Sequence, residues 1–301
     1  MYDCAIIGGG IAGLQAALQL GRYMHSVVVI DNHAGRSTKA KKYGNVLGWP
    51  EGISGPELRE RGRDQAREVG VEFIEDKAVS AAKSKDKSFS ITCEGGQVVQ
   101  AKRLLISTGI TDRIPPEIDG LRQVLGSAVY VCPDCDGYEI KGKKAVVLGT
   151  GNAGAAMACV LQYWSDQITY INHEPEEYVV SKHWETKCKE NGVTIIKSRI
   201  SSVHQVDSER LSGIELGDGE IVEAEKGFIA FGGSKAESDI AAQLGVERLE
   251  NGHIPVDGRT KETNVKYVWA AGDVAAHSQL LTVAIGDGAQ AAIWIHKSLQ
   301  E

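Results

Sequence analysis

The residues best suited to chemistry are Cys132 and Cys135, separated by two residues in Val131-Cys132-Pro133-Asp134-Cys135-Asp136-Gly137. Cysteines at that spacing can close a small disulfide ring, and a thiolate there is stabilised by its partner and by nearby backbone dipoles. That is the pattern of a redox switch. Two other uses compete: half of a zinc site, or two unrelated thiols in a core. A zinc site wants a second pair at ligand spacing. Cys4, Cys93, Cys159 and Cys188 are isolated along the chain, and no histidine lies within a few residues of the pair, so no metal is expected. The run Ala128-Val129-Tyr130-Val131 reads as a buried strand, which puts Cys132 in the turn where a strand gives way to a helix or loop.

Two glycine turns flank this switch. Cys4-Ala5-Ile6-Ile7 runs into Gly8-Gly9-Gly10-Ile11-Ala12-Gly13 and then a helical pattern through Leu14, Ala17 and Leu18. In such a strand-turn-helix unit Gly8 permits the tight turn, Gly10 lets a pyrophosphate approach the backbone, and Gly13 lets helix and strand pack closely. The second strand, Val27-Val28-Val29-Ile30, ends in Asp31, whose carboxylate can accept hydrogen bonds from an adenosine ribose diol. The unit then recurs. Ala145-Val146-Val147-Leu148 leads into Gly149-Thr150-Gly151-Asn152-Ala153-Gly154, and its second strand, Ile168-Thr169-Tyr170-Ile171, ends at Asn172. Asn172 follows Gly149 by the interval that separates Asp31 from Gly8. The copy is either a second nucleotide site or a Rossmann unit that kept its glycines without a ligand.

The chain has 301 residues, enough for two domains each with its own core. Glycine is abundant (35) and proline scarce (7), which suits an α/β fold with tight turns better than disorder. A net charge of −7 argues against nucleic acid as a partner. No apolar run reaches membrane-spanning length, and Met1 leads into a strand without a basic leader, so no membrane association and a cytoplasmic location are expected. After Asp31 comes a polar loop with Arg36, Lys39, Lys41 and Lys42. A helix over residues 54–69 follows, capped by Ser54, with Arg59, Arg61, Arg63 and Arg67 among its exposed positions. Residues 71–106 read as short strands in hairpins, closing on Ser107-Thr108-Gly109. Candidate domain crossings fall at residues 112–120 and at Gly232-Gly233-Ser234. Helices are expected near residues 181–191 and over 287–299.

With these motifs in place the chain resembles the low-molecular-weight thioredoxin reductases over essentially its whole length. The matching segments are Gly8 to Gly13, residues 45–58, Ser107-Thr108-Gly109, Cys132 to Gly137, the second glycine turn, Ala271-Gly272-Asp273, Gln279 to Thr282, and Gly286-Asp287-Gly288. The resemblance implies an α/β fold of two Rossmann-like dinucleotide-binding domains, the second inserted in the first. Residues 1–113 and 244–301 would then bind FAD, and 114–243 would carry the CxxC. It also implies that Gly8, Gly10, Gly13, Asp31, Asn45, Thr108, Gly109, Gly272, Asp273 and Gln279 line the FAD site. Electrons would pass from reduced FAD to the Cys132–Cys135 disulfide and on to a thioredoxin-like protein by mixed-disulfide exchange. Cys132 would attack the partner, Cys135 would face the flavin, and Asp136 would donate a proton, its alternative being a cap or turn residue. A homodimer is implied as well.

One departure is informative. NADPH-dependent members follow the second unit's second strand with a cluster of arginines that meets the adenosine 2′-phosphate. Here that run is Asn172-His173-Glu174-Pro175-Glu176-Glu177-Tyr178, with three carboxylates and no arginine or lysine, so NADPH is disfavoured, while NADH stays open without an acidic residue at position 172. Relatives lacking the NADPH signature draw electrons from ferredoxin or from a second flavin. Gly149, Gly151, Gly154 and Asn172 would suit the ADP half of a second FAD, and the arginines of the basic loop and helix would suit an acidic ferredoxin. A disulfide-forming FAD oxidase and a non-catalytic, nucleotide-binding redox sensor are the alternatives.

Overall fold

The computed structural model describes residues 1–301 as two compact units. One comprises residues 1–39, 53–111 and 235–301, the other residues 40–52 and 112–234.

In the first unit a seven-stranded sheet runs in the order Glu72–Ile74, Val27–Ile30, Tyr2–Ile7, Val98–Ile106, Phe89–Cys93, Ala78–Lys83, and Val268–Ala270 also pairs with Val98–Ile106. The long strand Val98–Ile106 shows how sequence pattern follows partner type. Its first half alternates in burial and pairs antiparallel with Phe89–Cys93. Its last three residues are continuously buried and lie between the parallel strands Tyr2–Ile7 and Val268–Ala270. Helix Ile11–Arg22 crosses the last helix, Leu281–Leu299, so closely that a Cβ on Gly288 would overlap the Ala12 carbonyl. That crossing explains why the last helix starts at Leu281 rather than 287. Leu281, Ala284, Gly288, Ala291 and Ile295 form one buried stripe, and its packing outweighs about 1 kcal/mol of helix propensity lost at each glycine.

Helix Gly55–Glu68 begins as expected, with the Ser54 hydroxyl accepting from the Glu57 N–H. Its arginines depart from expectation. Arg59 and Arg63 are buried, 4% and 7% exposed, because the inward stripe of this helix is Gly55, Arg59, Arg63 and Ala66.

The second unit is built on a five-stranded, all-parallel sheet in the order Thr194–Lys197, Ile168–Asn172, Ala145–Gly149, Lys226–Ala230, Val129–Tyr130. Helices Gly151–Leu161 and Lys182–Glu190 belong to it, as does an antiparallel sheet of Ile200–Asp207, Arg210–Leu216 and Ile221–Val222. Three segments fall on the other side of the expected domain limits, residues 112–113 among them. Residues 235–243 join the first unit because Lys235–Ala236 pairs with Ile110–Thr111 and the Gln243 side chain accepts from the Ala81 N–H at 3.0 Å. Residues 40–52, including Asn45, join the second, where the Lys41 N–H donates to Gly126 O at 3.2 Å.

Candidate active site

The redox pair stands where a buried strand ends. Val129–Tyr130 leads to Cys132, which caps the short helix Pro133–Asp136, and its sulfur accepts from the Cys135 N–H at 3.2 Å. Cys132 and Cys135 form a disulfide with a Cα–Cα distance of 5.3 Å. The turn packs tightly on Trp164, since a Cβ on Gly137 would lie 2.6 Å from that ring. Asp136 closes the helix and is half-buried. Burial, helped by the negative charge of Glu139 and opposed by the Lys226 ammonium, pushes its carboxyl up to about 7. A carboxyl at that value carries a transferable proton at neutral pH. Lys226 itself is 7% exposed and meets only neutral acceptors, Ser127 O at 2.8 Å and the Tyr130 hydroxyl at 3.0 Å. Burial lowers its pKa.

The first glycine turn is shaped to receive a phosphate. Gly8 has φ +103°, and a Cβ there would overlap the Ser107 carbonyl; one on Gly13 would overlap the carbonyl of Gly8. Helix Ile11–Arg22 starts at Gly10 with no side-chain cap and no acidic residue in its first turn, so its N-terminal N–H groups and positive dipole end suit an anion. Asp31, at the end of the second strand, is 5% exposed. Its Oδ2 accepts from Arg59 at 2.7 Å, and Arg63 and His33 each approach to 3.7 Å. Arg59 also donates to Ser37 Oγ at 3.3 Å, and Arg63 pairs with Glu75 at 2.8 Å. The two buried arginines therefore fix the carboxylate that would meet the ribose.

The expected C-terminal flavin contacts gather in the same unit. Gly272 donates its N–H to Asp287 Oδ2 at 3.2 Å, and Asp287 also takes Lys261 at 2.8 Å and His277. Burial works against ionisation of Asp287, but the hydrogen bonds from His277 and Lys261 outweigh it and hold its pKa below the usual value; in return Asp287 raises that of His277. Arg36 reaches Asp273 at 3.3 Å and Gln279 Oε1 at 3.1 Å. It thus supplies a cation beside Gln279. Thr108 donates to Glu237 O at 2.5 Å, and Gly109 turns the chain with φ +70°. Asn45 is exposed, in the segment grouped with the second unit. The glycine cradle, the uncapped helix end and the fixed acid at the strand end fit the ADP part of FAD.

The second glycine turn has the same frame and a different content. A Cβ on Gly149 would lie 2.5 Å from Ala230 O, and one on Gly154 would overlap the Tyr170 ring. Asn172 is 1% exposed and fully engaged. Its Oδ1 accepts the Gly151 N–H at 2.8 Å and lies 3.1 Å from the Tyr170 hydroxyl, while its Nδ2 donates to Tyr178 O at 2.9 Å. Asn152 Oδ1 accepts from the Ser181 N–H at 2.8 Å. The chain after the strand is thereby tied down onto the turn. Arg113, the cation nearest the acidic run, pairs with Glu174 at 3.0 Å and stands over the Tyr178 ring at 5.0 Å. Glu117, His173 and Glu174 come together nearby, but His173 Nδ1 accepts the Ile200 N–H at 2.9 Å. In the neutral ring the proton then sits on Nε2, facing Glu117 at 3.5 Å, so no lone pair is turned toward a metal.

Several residues that shape the site were not legible as such in the sequence. Arg59 and Arg63 read as a solvated face, although their spacing with Gly55 and Ala66 marks one side of a helix. Arg36 read as part of a charged loop. Lys226 lies in an apolar strand, where a lone lysine was the available signal.

Comparison with known proteins gives this geometry its class. Residues 2–288 match the pyridine nucleotide-disulphide oxidoreductase family, and the chain belongs to it. It is 31% identical over 303 residues to a thioredoxin reductase of Streptomyces clavuligerus, covering 96% of this chain and 91% of that one. It is 27% identical to the bifunctional thioredoxin reductase/thioredoxin of Mycobacterium leprae, aligning with all of this chain and 66% of that protein. The crystal structure of thioredoxin reductase from Streptococcus pyogenes superposes with a TM-score of 0.87 at 25% identity, covering 100% of this chain and 98% of that one. The protein is a thioredoxin reductase-like, FAD-dependent disulfide oxidoreductase with the low-molecular-weight thioredoxin reductase fold.

Proposed function

We propose that this enzyme passes electrons from FAD in the first unit to the Cys132–Cys135 disulfide and on to the disulfide of a thioredoxin-like protein, and that its electron donor is not a pyridine nucleotide. Gly8, Gly10, Gly13 and Asp31 would hold the ADP part of FAD, and Thr108, Gly109, Gly272, Asp273 and Gln279 its flavin side. When bound, FAD supplies a two-electron redox centre that matches the two-electron disulfide couple. Cys132, first in the motif, attacks the partner's disulfide; Cys135 then displaces it from Cys132, restoring the internal disulfide. Asp136 gives its proton to the thiolate released when that disulfide is opened, and its raised pKa keeps the proton available near neutrality.

The observation that carries the donor reading is the Asn172 amide on Gly151. It takes a backbone donor that a pyrophosphate would need, and Glu174, Glu176 and Glu177 follow where a 2′-phosphate would need cations. The same bond counts against a second FAD in that groove and favours a protein donor of the ferredoxin class. Such a donor would not dock on Arg59 and Arg63, which are buried, nor on bare charges at Arg61 and Arg67, which pair with Glu57 at 2.7 Å and Asp64 at 3.3 Å. Lys41 and Lys42 are the exposed cations of the basic loop. No helix is long and apolar enough to cross a membrane; a cytoplasmic homodimer is part of the proposal. Flavin content tests it: one FAD per chain, with thioredoxin reduced when reduced ferredoxin is the donor, is expected. Two FAD per chain would restore the diflavin alternative.

A further inference from the structure

Cys159 and Cys188, far apart along the chain, meet in the fold. Their sulfurs lie 3.7 Å apart, Cys159 on helix Gly151–Leu161 and Cys188 on helix Lys182–Glu190. Cys188 is fully buried in the core that also holds Ala155, Ala158 and Tyr170, with its sulfur 3.7 Å from Ala155 O. Cys159 is half-exposed at the edge of that core. Isolated along the chain, the two thiols are brought together by the fold, and no other pair of reduced cysteines lies in sulfur contact. The accessible member can meet a reagent from solvent, and the hidden member's sulfur is in contact with it.

We propose that Cys159 and Cys188 are a second dithiol, separate from Cys132 and Cys135, which closes to a disulfide on reaction with a low-molecular-weight disulfide of the glutathione class. The Cys159 thiolate attacks one sulfur of the small disulfide, forming a mixed disulfide on Cys159 and releasing one small thiolate. Cys188 then loses its proton, and its sulfur attacks Cys159 and expels the second small thiolate. Two protein thiols are oxidised, one small disulfide is reduced to two thiols, and the electrons balance. The second step is the slow one, because burial first, and the contact with Cys159 next, push the Cys188 thiol up to about 12. Closing the bond requires the sulfurs to approach from 3.7 Å to about 2.05 Å.

The bond would join the helix that carries the second glycine turn to the helix that follows residues 173–181. Those residues are held on the turn by Asn172 with Tyr178 and by Asn152 with Ser181. Oxidation would therefore staple the second unit in its covered arrangement. This inference stands whatever the electron donor is.

The test uses the full-length, flavin-loaded protein, reduced, freed of reductant and exposed to oxidised glutathione from about pH 7 to about pH 9. It is then alkylated, digested without reduction and mapped by mass spectrometry. A cross-linked peptide containing Cys159 and Cys188 is expected, forming about tenfold faster per pH unit as the Cys188 thiolate fraction grows. Cys188→Ser should accumulate a stable glutathione adduct on Cys159, and Cys159→Ser should leave Cys188 unmodified. An adduct on Cys159 that persists in the unaltered protein even at about pH 9, or alkylation of both cysteines at every pH, would overturn the proposal. So would modification of buried Cys4 and Cys93 at the same rate, which would mean that the pair reacts only through unfolding.

Discussion

The two glycine turns have the same spacing, the same strand-turn-helix frame and the same kind of tight glycine contacts, yet their environments diverge at one atom. Where the first strand pair ends in Asp31, the second ends in Asn172. Asp31 turns its Oδ2 to the Arg59 guanidinium, and the first helix end carries no side-chain cap. An amide both accepts and donates, so Asn172 bridges the Gly151 N–H to the Tyr178 carbonyl and closes its own turn. Glycine spacing dictates the backbone path. The polar residue at the end of the second strand decides whether that path is left for a ligand.

The largest effects should come from filling the two turns. Gly13→Ala places a methyl against the backbone carbonyl of Gly8, which cannot yield, and should abolish flavin retention, read from the absorbance of the purified protein. Gly154→Ala meets the Tyr170 ring instead and should lower Tm while leaving flavin content unchanged. Equal flavin loss in both variants would erase the distinction between the turns.

Next in size are the polar residues themselves. Arg59→Leu leaves the Asp31 carboxylate buried without its closest partner and should cost about 3–5 kcal/mol, measured by denaturant unfolding, with weaker FAD binding. Asn172→Ala leaves the Gly151 N–H and Tyr178 carbonyl without a partner and should cost about 1–3 kcal/mol with flavin content unchanged. If Asn172→Ala instead creates saturable NADPH or NADH reduction, the amide is the lock on an otherwise competent site.

How much could be read beforehand follows the same division. Gly8 to Gly13, Gly149 to Gly154 and the CxxC were legible because local rules govern them: period, turn chemistry and spacing. The crossings fall at Thr111/Asp112 and Ser234/Lys235, beside the segments marked by proline and glycine, whereas the return limit was expected at 243/244. What escaped depends on partners distant in sequence. Arg59 is buried because Asp31 is, 28 positions away, and the last helix carries Gly288 because the Ala12 carbonyl needs the space. Asn172 was identified as a position, but a one-dimensional pattern does not show that its amide bonds inward.

A smaller effect concerns proton supply. Asp136 is protonated, and able to donate, below about pH 7 and loses that ability as pH rises through its pKa. Disulfide reduction should fall along that limb, and Asp136→Asn should flatten it. Lys226 opposes the raised pKa, so Lys226→Met should move the limb to higher pH without changing flavin content; an unmoved limb would leave Lys226 a packing residue only.

The contrast between the turns is tested most directly by anaerobic rapid mixing of the flavin-loaded enzyme with NADPH and, separately, with NADH. With the second turn closed by its own side chains, bleaching of the flavin should be slow and rise linearly with nucleotide concentration, without saturation. Fast reduction that saturates at micromolar NADPH would contradict the account, since it would require a formed nucleotide site where Asn172 now holds Gly151.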